Sequence, residues 1–266
     1  MKKRFAVMLP VVAVTLGAWT GCATRTVVLS STQRAAIHER AETHFARAFY
    51  LKPTETNNPA AQAWQLAPLL ILEAPSINTL PDLPAPVARP QIFFQPSRTI
   101  VHGKPHDQMT YWWAYPKISS RSYAALGAQG VRITLNPAGR PVIWEVLADT
   151  SGAQVIFVAQ SLEAQAARTF GAPLEARRFA VERSLADAPN IIVARVIEDG
   201  PVTMGPIIYL RAGTRDVATV ICRCMEAQAR ELAGQQDYEL IPAPSASRHF
   251  SKLEGIERRV RLPDNF

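Results

Sequence analysis

Val131-Arg132-Ile133-Thr134-Leu135 alternates apolar and polar side chains, Asn136-Pro137-Ala138-Gly139 follows with turn chemistry, and Val142-Ile143-Trp144-Glu145-Val146-Leu147 returns as a second run. Alternation with period two is the signature of a half-buried strand, and Asn, Pro and Gly between two such runs close a hairpin. The surrounding chain repeats the pattern. Upstream, Thr99-Ile100-Val101-His102 and Met109-Thr110-Tyr111-Trp112-Trp113-Ala114-Tyr115 are rich in β-branched and aromatic residues and flank Gly103-Lys104-Pro105. Downstream, residues 154–159 extend the sheet, and further strands are expected over 178–182, 191–197 and 207–210, with Asp199-Gly200 as a turn. Residues 217–224 carry mixed signals: Val217, Thr219, Val220 and Ile221 favour a strand, the preferred reading, while a helix opening at Thr214 or Asp216 is the alternative.

Helical spacing occurs where the strands do not. Ile37, Ala41, Phe45, Ala48 and Phe49 predict a helix over about 32–51, with Ser31 or Thr32 as cap. Asn58-Pro59 starts a short helix reaching about Gln65, followed by a buried strand over 69–72. Ser161 is positioned to cap a helix ending at Gly171, and residues 225–234 read as a helix closed by Gly234. These elements imply an α+β fold: a largely antiparallel sheet built from hairpins, with an N-terminal helix and two or three further short helices. Residues 75–90 contain five prolines and keep no apolar period, which reads as an extended connector. It divides an N-terminal helical segment, 22–74, from a main α+β domain, 91–245, with a basic tail over 246–266.

The chain opens on Lys2-Lys3-Arg4, an apolar run from Phe5 to Ala18, and Trp19-Thr20-Gly21-Cys22. A basic flank, a short apolar stretch and small residues form a secretory signal layout, removed from the mature chain. The run of about 14 residues falls short of the roughly 20 that span a bilayer. With a cysteine just past its end, this leader resembles that of bacterial lipoproteins. The resemblance covers residues 1–22 alone. It implies that residues 1–21 are a signal peptide and that Cys22 is acylated and becomes the mature N-terminus, anchoring the chain to the membrane. Ala23 stands where an inner-membrane retention signal would show Asp, so the resemblance also implies the outer membrane, facing the periplasm.

Charge excludes one class of partner. The chain carries 29 basic and 22 acidic residues, and without the three leader cations the balance is a formal +4. The basic residues are scattered except over 248–261, which includes Arg258-Arg259-Val260-Arg261. Nucleic-acid recognition wants a concentrated basic face with aromatic platforms, so no nucleic-acid partner is expected. The tail reads as a solvated end, or as a segment lying on anionic headgroups near the anchor.

Cys222-Arg223-Cys224 is the sharpest local feature. On a strand, positions i and i+2 share a face about 6.6 Å apart, near the upper limit of the roughly 4.4–6.8 Å that a disulfide spans. Three readings stay open: two small buried hydrophobes, a reducible disulfide in an oxidising compartment, or a soft-metal thiolate pair. His102 and His106 bracket the tip of the upstream hairpin, and two imidazoles with two thiols would satisfy a tetrahedral metal site. Tyr111, Trp113 and Tyr115 share one strand face, either as core or as a stacking platform for a sugar or apolar ligand. His38 and His44 flank Glu39 as in zinc proteases, but i and i+6 lie about 600° apart on a helix and point to different sides. Asp107, Glu145, Asp149, Glu182, Glu198 and Asp199 include no pair that spacing selects. The sequence holds no Gly-x-Ser-x-Gly elbow, phosphate-cradling loop or dinucleotide fingerprint, and no cofactor is expected. The expectation is a lipid-anchored envelope protein acting as a non-enzymatic binding or structural module, its partner an envelope protein or small ligand. The alternative is a thiol-redox or soft-metal-handling protein using Cys222 and Cys224.

Overall fold

A computed structural model describes residues 28–54, 61–74, 91–114, 129–185, 188, 190–243 and 262–263. The leader, Cys22, Asn58-Pro59, the proline-rich connector, Tyr115 and most of the basic tail lie outside the described residues. The strands are β1 (Arg47–Pro53), β2 (Leu69–Glu73), β3 (Gln91–Val101), β4 (Lys104–Ala114), β5 (Gln129–Leu135), β6 (Pro141–Leu147), β7 (Gln154–Ala159), β8 (Ile191–Ile197), β9 (Ile207–Leu210), β10 (Val217–Ile221), β11 (Glu231–Tyr238) and β12 (Leu240–Pro242). Among the described residues three short helices accompany them, α1 (Ser31–Ala41), α2 (Gln62–Gln65) and α3 (Gln160–Phe170), with a 3-10 helix over Ala180–Leu185.

Alternation places Val131 opposite Val146 and Ile133 opposite Trp144 in the β5–β6 hairpin. The β3–β4 hairpin turns on His102 and Gly103, at φ of 48° and 74°, the left-handed conformation that a two-residue turn between twisted strands requires. Antiparallel pairing then runs unbroken from β3 to β7. The expected largely antiparallel α+β fold is nevertheless overturned: the molecule is mostly β, and both of its sheets are mixed. The seven-stranded sheet runs β12-β3-β4-β5-β6-β7-β8, with parallel pairs at both ends; the five-stranded sheet runs β10-β9-β2-β1-β11, with β2–β9 and β1–β11 parallel. Parallel partners lie far apart in the chain and share no turn, so local spacing carries no signal for them.

Several elements differ from expectation for identifiable reasons. The first helix stops at Ala41, and residues 47–53 are β1, whose buried Ala48 and Leu51 continue the three-residue spacing of the helix by coincidence. Its cap is Ser30, whose Oγ accepts the Gln33 N–H at 3.2 Å while Gln33 Oε1 accepts the Ser30 N–H at 2.9 Å. Residues 178–182 are no strand: Glu182 folds back to accept the N–H groups of Arg178 and Phe179, starting the 3-10 helix. Helix α3 ends before Gly171 as expected, but Ser161 does not cap it with its own side chain. Asp199 does, accepting the Ser161 N–H at 2.8 Å and Oγ–H at 2.6 Å. Residues 231–238 are β11 rather than part of a helix, and Gly234 lies against the Phe49 ring. Residues 217–221 form β10, the preferred of the two readings.

The two sheets share one hydrophobic core, to which α1 contributes Ile37 and Ala41. At one side β11 and β12, separated only by Glu239, carry the chain from one sheet edge to the other. At the opposite side α1 packs on both remaining edge strands, β8 and β10. Strands β1 and β2, from the segment expected to be a helical layer, are thus two of the five strands of one sheet. No helix among the described residues is long and apolar enough to cross a membrane.

Candidate functional site

Strand β10 ends at Ile221, and the chain turns at once through Cys222-Arg223-Cys224. The turn draws the two Cα atoms to 5.2 Å, inside the span of a disulfide, and the sulfurs are bonded. This replaces the 6.6 Å expected of a strand. Cys222 is 7 % exposed and belongs to the core, whereas Cys224 is exposed. The Cys224 N–H donates to Cys222 Sγ at 3.2 Å.

Arg223, between the two cysteines, points inward. Its Nη2 donates to the Ala67 carbonyl, while the Tyr111 hydroxyl donates to Ala63 O at 2.5 Å and the Tyr238 hydroxyl to Pro68 O at 2.6 Å. Three side chains from β4, β11 and the cysteine turn therefore satisfy the carbonyls that α2 and its exit would leave orphaned. Burial pushes the Arg223 guanidinium below its ordinary value, opposed by neighbouring Tyr238, Tyr50 and Tyr111. Burial pushes the Tyr111 and Tyr238 hydroxyls up, so both remain neutral donors. The loop after β8 closes over the same place. Gly205 donates its N–H to Gln65 O at 2.9 Å, and a Cβ there would overlap the Leu66 carbonyl oxygen. The result is a cleft of about 30 Å³ lined by Arg140, Trp144, Glu198, Val202, Cys222 and Arg223. That is room for a water or two, far below the few hundred Å³ of a small-molecule site.

The other expected site residues lie elsewhere. His106 is 1 % exposed, with Nδ1 2.9 Å from Leu135 O, and His102 sits at the hairpin turn, with Nε2 2.7 Å from Leu262 O. Both hold backbone of neighbouring segments, and among the described residues no group of three His, Cys, Asp or Glu side chains is placed to hold a metal. Tyr111 and Trp113 are fully buried in the shared core, so they form no open stacking platform. Trp112, on the opposite face, is covered by Phe93 in a stacked contact at 6.2 Å. His38 is buried with Nδ1 3.1 Å from Ala194 O, while His44 is exposed.

One feature was not singled out by spacing. On the outer face of the seven-stranded sheet, Arg132 and Glu145 stand opposite each other on β5 and β6, 3.6 Å apart and almost fully buried. Gln154 donates to Glu145 at 2.9 Å, and one register step along Gln108 donates to Thr134 at 3.0 Å. Alternation did contain this signal, since Arg132, Thr134 and Glu145 are the polar positions of the strands read first. A solvated face is the ordinary reading of such positions; here they are buried. Asp107, Asp149, Glu182 and Asp199 are likewise engaged, with Arg98, Arg40, Arg177 and Ser161 respectively. The cysteine turn thus combines a disulfide, one of whose residues is exposed, with a built surrounding. The chain matches no protein-family model, no curated protein and no solved structure.

Proposed function

We propose that this is an exported, lipid-anchored envelope protein that acts as a non-enzymatic binding or structural module. In this reading the signal peptide, 1–21, is removed and acylated Cys22 holds the domain on the outer membrane, facing the periplasm. The Cys222–Cys224 disulfide carries the reading: disulfides persist in oxidising compartments, which is where the leader would send the chain. Chain reach supports it too. Six residues lie between Cys22 and Leu29, which is already buried in the core, so even a fully extended tether would hold the domain within about 25 Å of its anchor. The engagement of His102, His106 and Tyr111 with backbone carbonyls supports structural work for these side chains over catalysis. The partner class is an envelope protein or small ligand, not nucleic acid.

The test is metabolic labelling with a fatty-acid analogue, followed by fractionation. Wild type is expected in the labelled membrane fraction, and Cys22→Ser is expected to lose the label and leave the membrane. Label retained by Cys22→Ser overturns the anchor. A second reading, thiol-redox work at Cys222 and Cys224, is favoured by the exposure of Cys224. The soft-metal variant of that reading has no thiolate to offer while the two sulfurs are bonded to each other.

A further inference from the structure

We propose that the Cys222–Cys224 disulfide accepts electrons from a dithiol of an exported polypeptide, with Cys224 as the sulfur attacked and Cys222 as the leaving group. This deepens the thiol reading above and rests on the pair being oxidised where the protein resides. Four observations carry it.

Access is one-sided. Cys224 is an exposed residue while Cys222 is buried against the loop after β8, so the attack of an incoming thiolate is placed on Cys224. The leaving sulfur is already solvated by the protein. The Cys224 N–H donates to Cys222 Sγ at 3.2 Å and would strengthen as charge develops there, because a hydrogen bond to an ionised acceptor exceeds one to a neutral one. The bond also contributes little to holding the fold. It closes a loop of only three residues, where the loss of unfolded-chain freedom is smallest. The turn is fastened independently by Arg223 on Ala67 O and by the Met225 N–H on Cys222 O at 3.2 Å. A link that does little for stability and leaves its turn anchored when opened suits exchange better than stapling. The adjoining cleft is too small for a bound organic ligand, which favours a thiol presented on a polypeptide surface.

The exchange balances without an outside oxidant. A partner thiolate forms a bond to Cys224 Sγ as the Cys222–Cys224 bond breaks, and Cys222 leaves as a thiolate that takes a proton from water. The partner's second thiolate then attacks the partner's own sulfur in the mixed disulfide, and Cys224 leaves and is protonated. The partner loses two electrons and two protons; the cysteine pair gains them, once per chain.

The oxidised full-length protein would be mixed with a short peptide carrying two cysteines, quenched in acid, alkylated and mapped by peptide mass spectrometry, which reads Cys22 separately. Expected are one peptide disulfide per chain and a transient adduct on Cys224. Glutathione in place of the peptide distinguishes the source of the thiol: a faster reaction with the dithiol at equal thiol concentration supports the proposal, and equal or faster reaction with glutathione overturns the assignment to a dithiol. Cys222→Ser and Cys224→Ser give a second measure, the alkylation rate of the remaining thiol. Cys224 is expected to react at least about tenfold faster than Cys222. An adduct on Cys222, equal alkylation rates, or a disulfide inert to excess dithiol overturns the proposal. None of these outcomes bears on labelling of Cys22, so this proposal and the anchor can fail separately.

Discussion

His38 shows how a single residue can couple this fold to pH. It projects from α1 to Ala194, the residue left unpaired where the β7–β8 register shifts, and its Nδ1 lies 3.1 Å from that carbonyl. Burial pushes its pKa below the ordinary value; the Ala194 carbonyl and Glu182 oppose this, while Arg178 and Arg34 reinforce it. The folded state therefore binds this proton less readily than the unfolded state. Stability is full while His38 is neutral in both states, and it falls as pH drops below about 6.5, the value of an unfolded histidine, towards the lower folded value. Urea midpoints of wild type and His38→Gln should differ by a constant amount above about pH 7 and shift in favour of the variant as pH falls to about 5. A wild-type-to-variant difference that stays flat over that range would refute the assignment.

At the scale of elements, α1 is held by more than its apolar face. Asp149, whose side chain is fully buried after β6, accepts from Arg40 Nη2 at 2.6 Å and from the Ser151 N–H at 2.9 Å. Arg40 lies one residue from the end of α1, so this pair ties the end of the helix to the β6–β7 turn of the seven-stranded sheet. Asp149→Ala leaves a guanidinium without its partner and should cost about 3–5 kcal/mol; adding Arg40→Ala should recover part of that loss. Strictly additive single variants in a denaturation cycle would show that the two side chains do not interact. Sequence revealed this helix and the hairpins because their signals are local. The turn at 136–139, the alternation of 131–135 and the β-branched run of 217–221 each sit inside one element. The parallel pairs have no such mark. Residues 225–234 are rich in helix formers, yet β11 takes the last four of them because β1 offers it a sheet edge. The cysteine turn was legible as a motif, but its asymmetric exposure was not, since that depends on the loop after β8, whose Gly205 lies 17 positions earlier in the chain.

At the scale of the molecule, the C-terminal segment is more than a solvated basic end. Leu262 is 2 % exposed and belongs to the core shared by both sheets, and its carbonyl oxygen lies 2.7 Å from His102 Nε2 at the β3–β4 turn. The same core is closed on one side by β11 and β12 and on the other by α1, so the two sheets share the larger of their buried clusters, while a smaller one around Phe45, Ile71, Tyr209 and Ile221 belongs to the five-stranded sheet. Two consequences can be measured together. Wild type should unfold in urea as one transition, with fluorescence and circular dichroism coincident. Leu262→Ala removes a buried side chain and should lower stability by about 2–5 kcal/mol while moving both probes equally. If the variant separates the probes, or leaves the midpoint unchanged, the end of the chain lies outside the cooperative unit. The size of the shift then decides the matter, because a solvated tail would cost no more than about 0.5 kcal/mol.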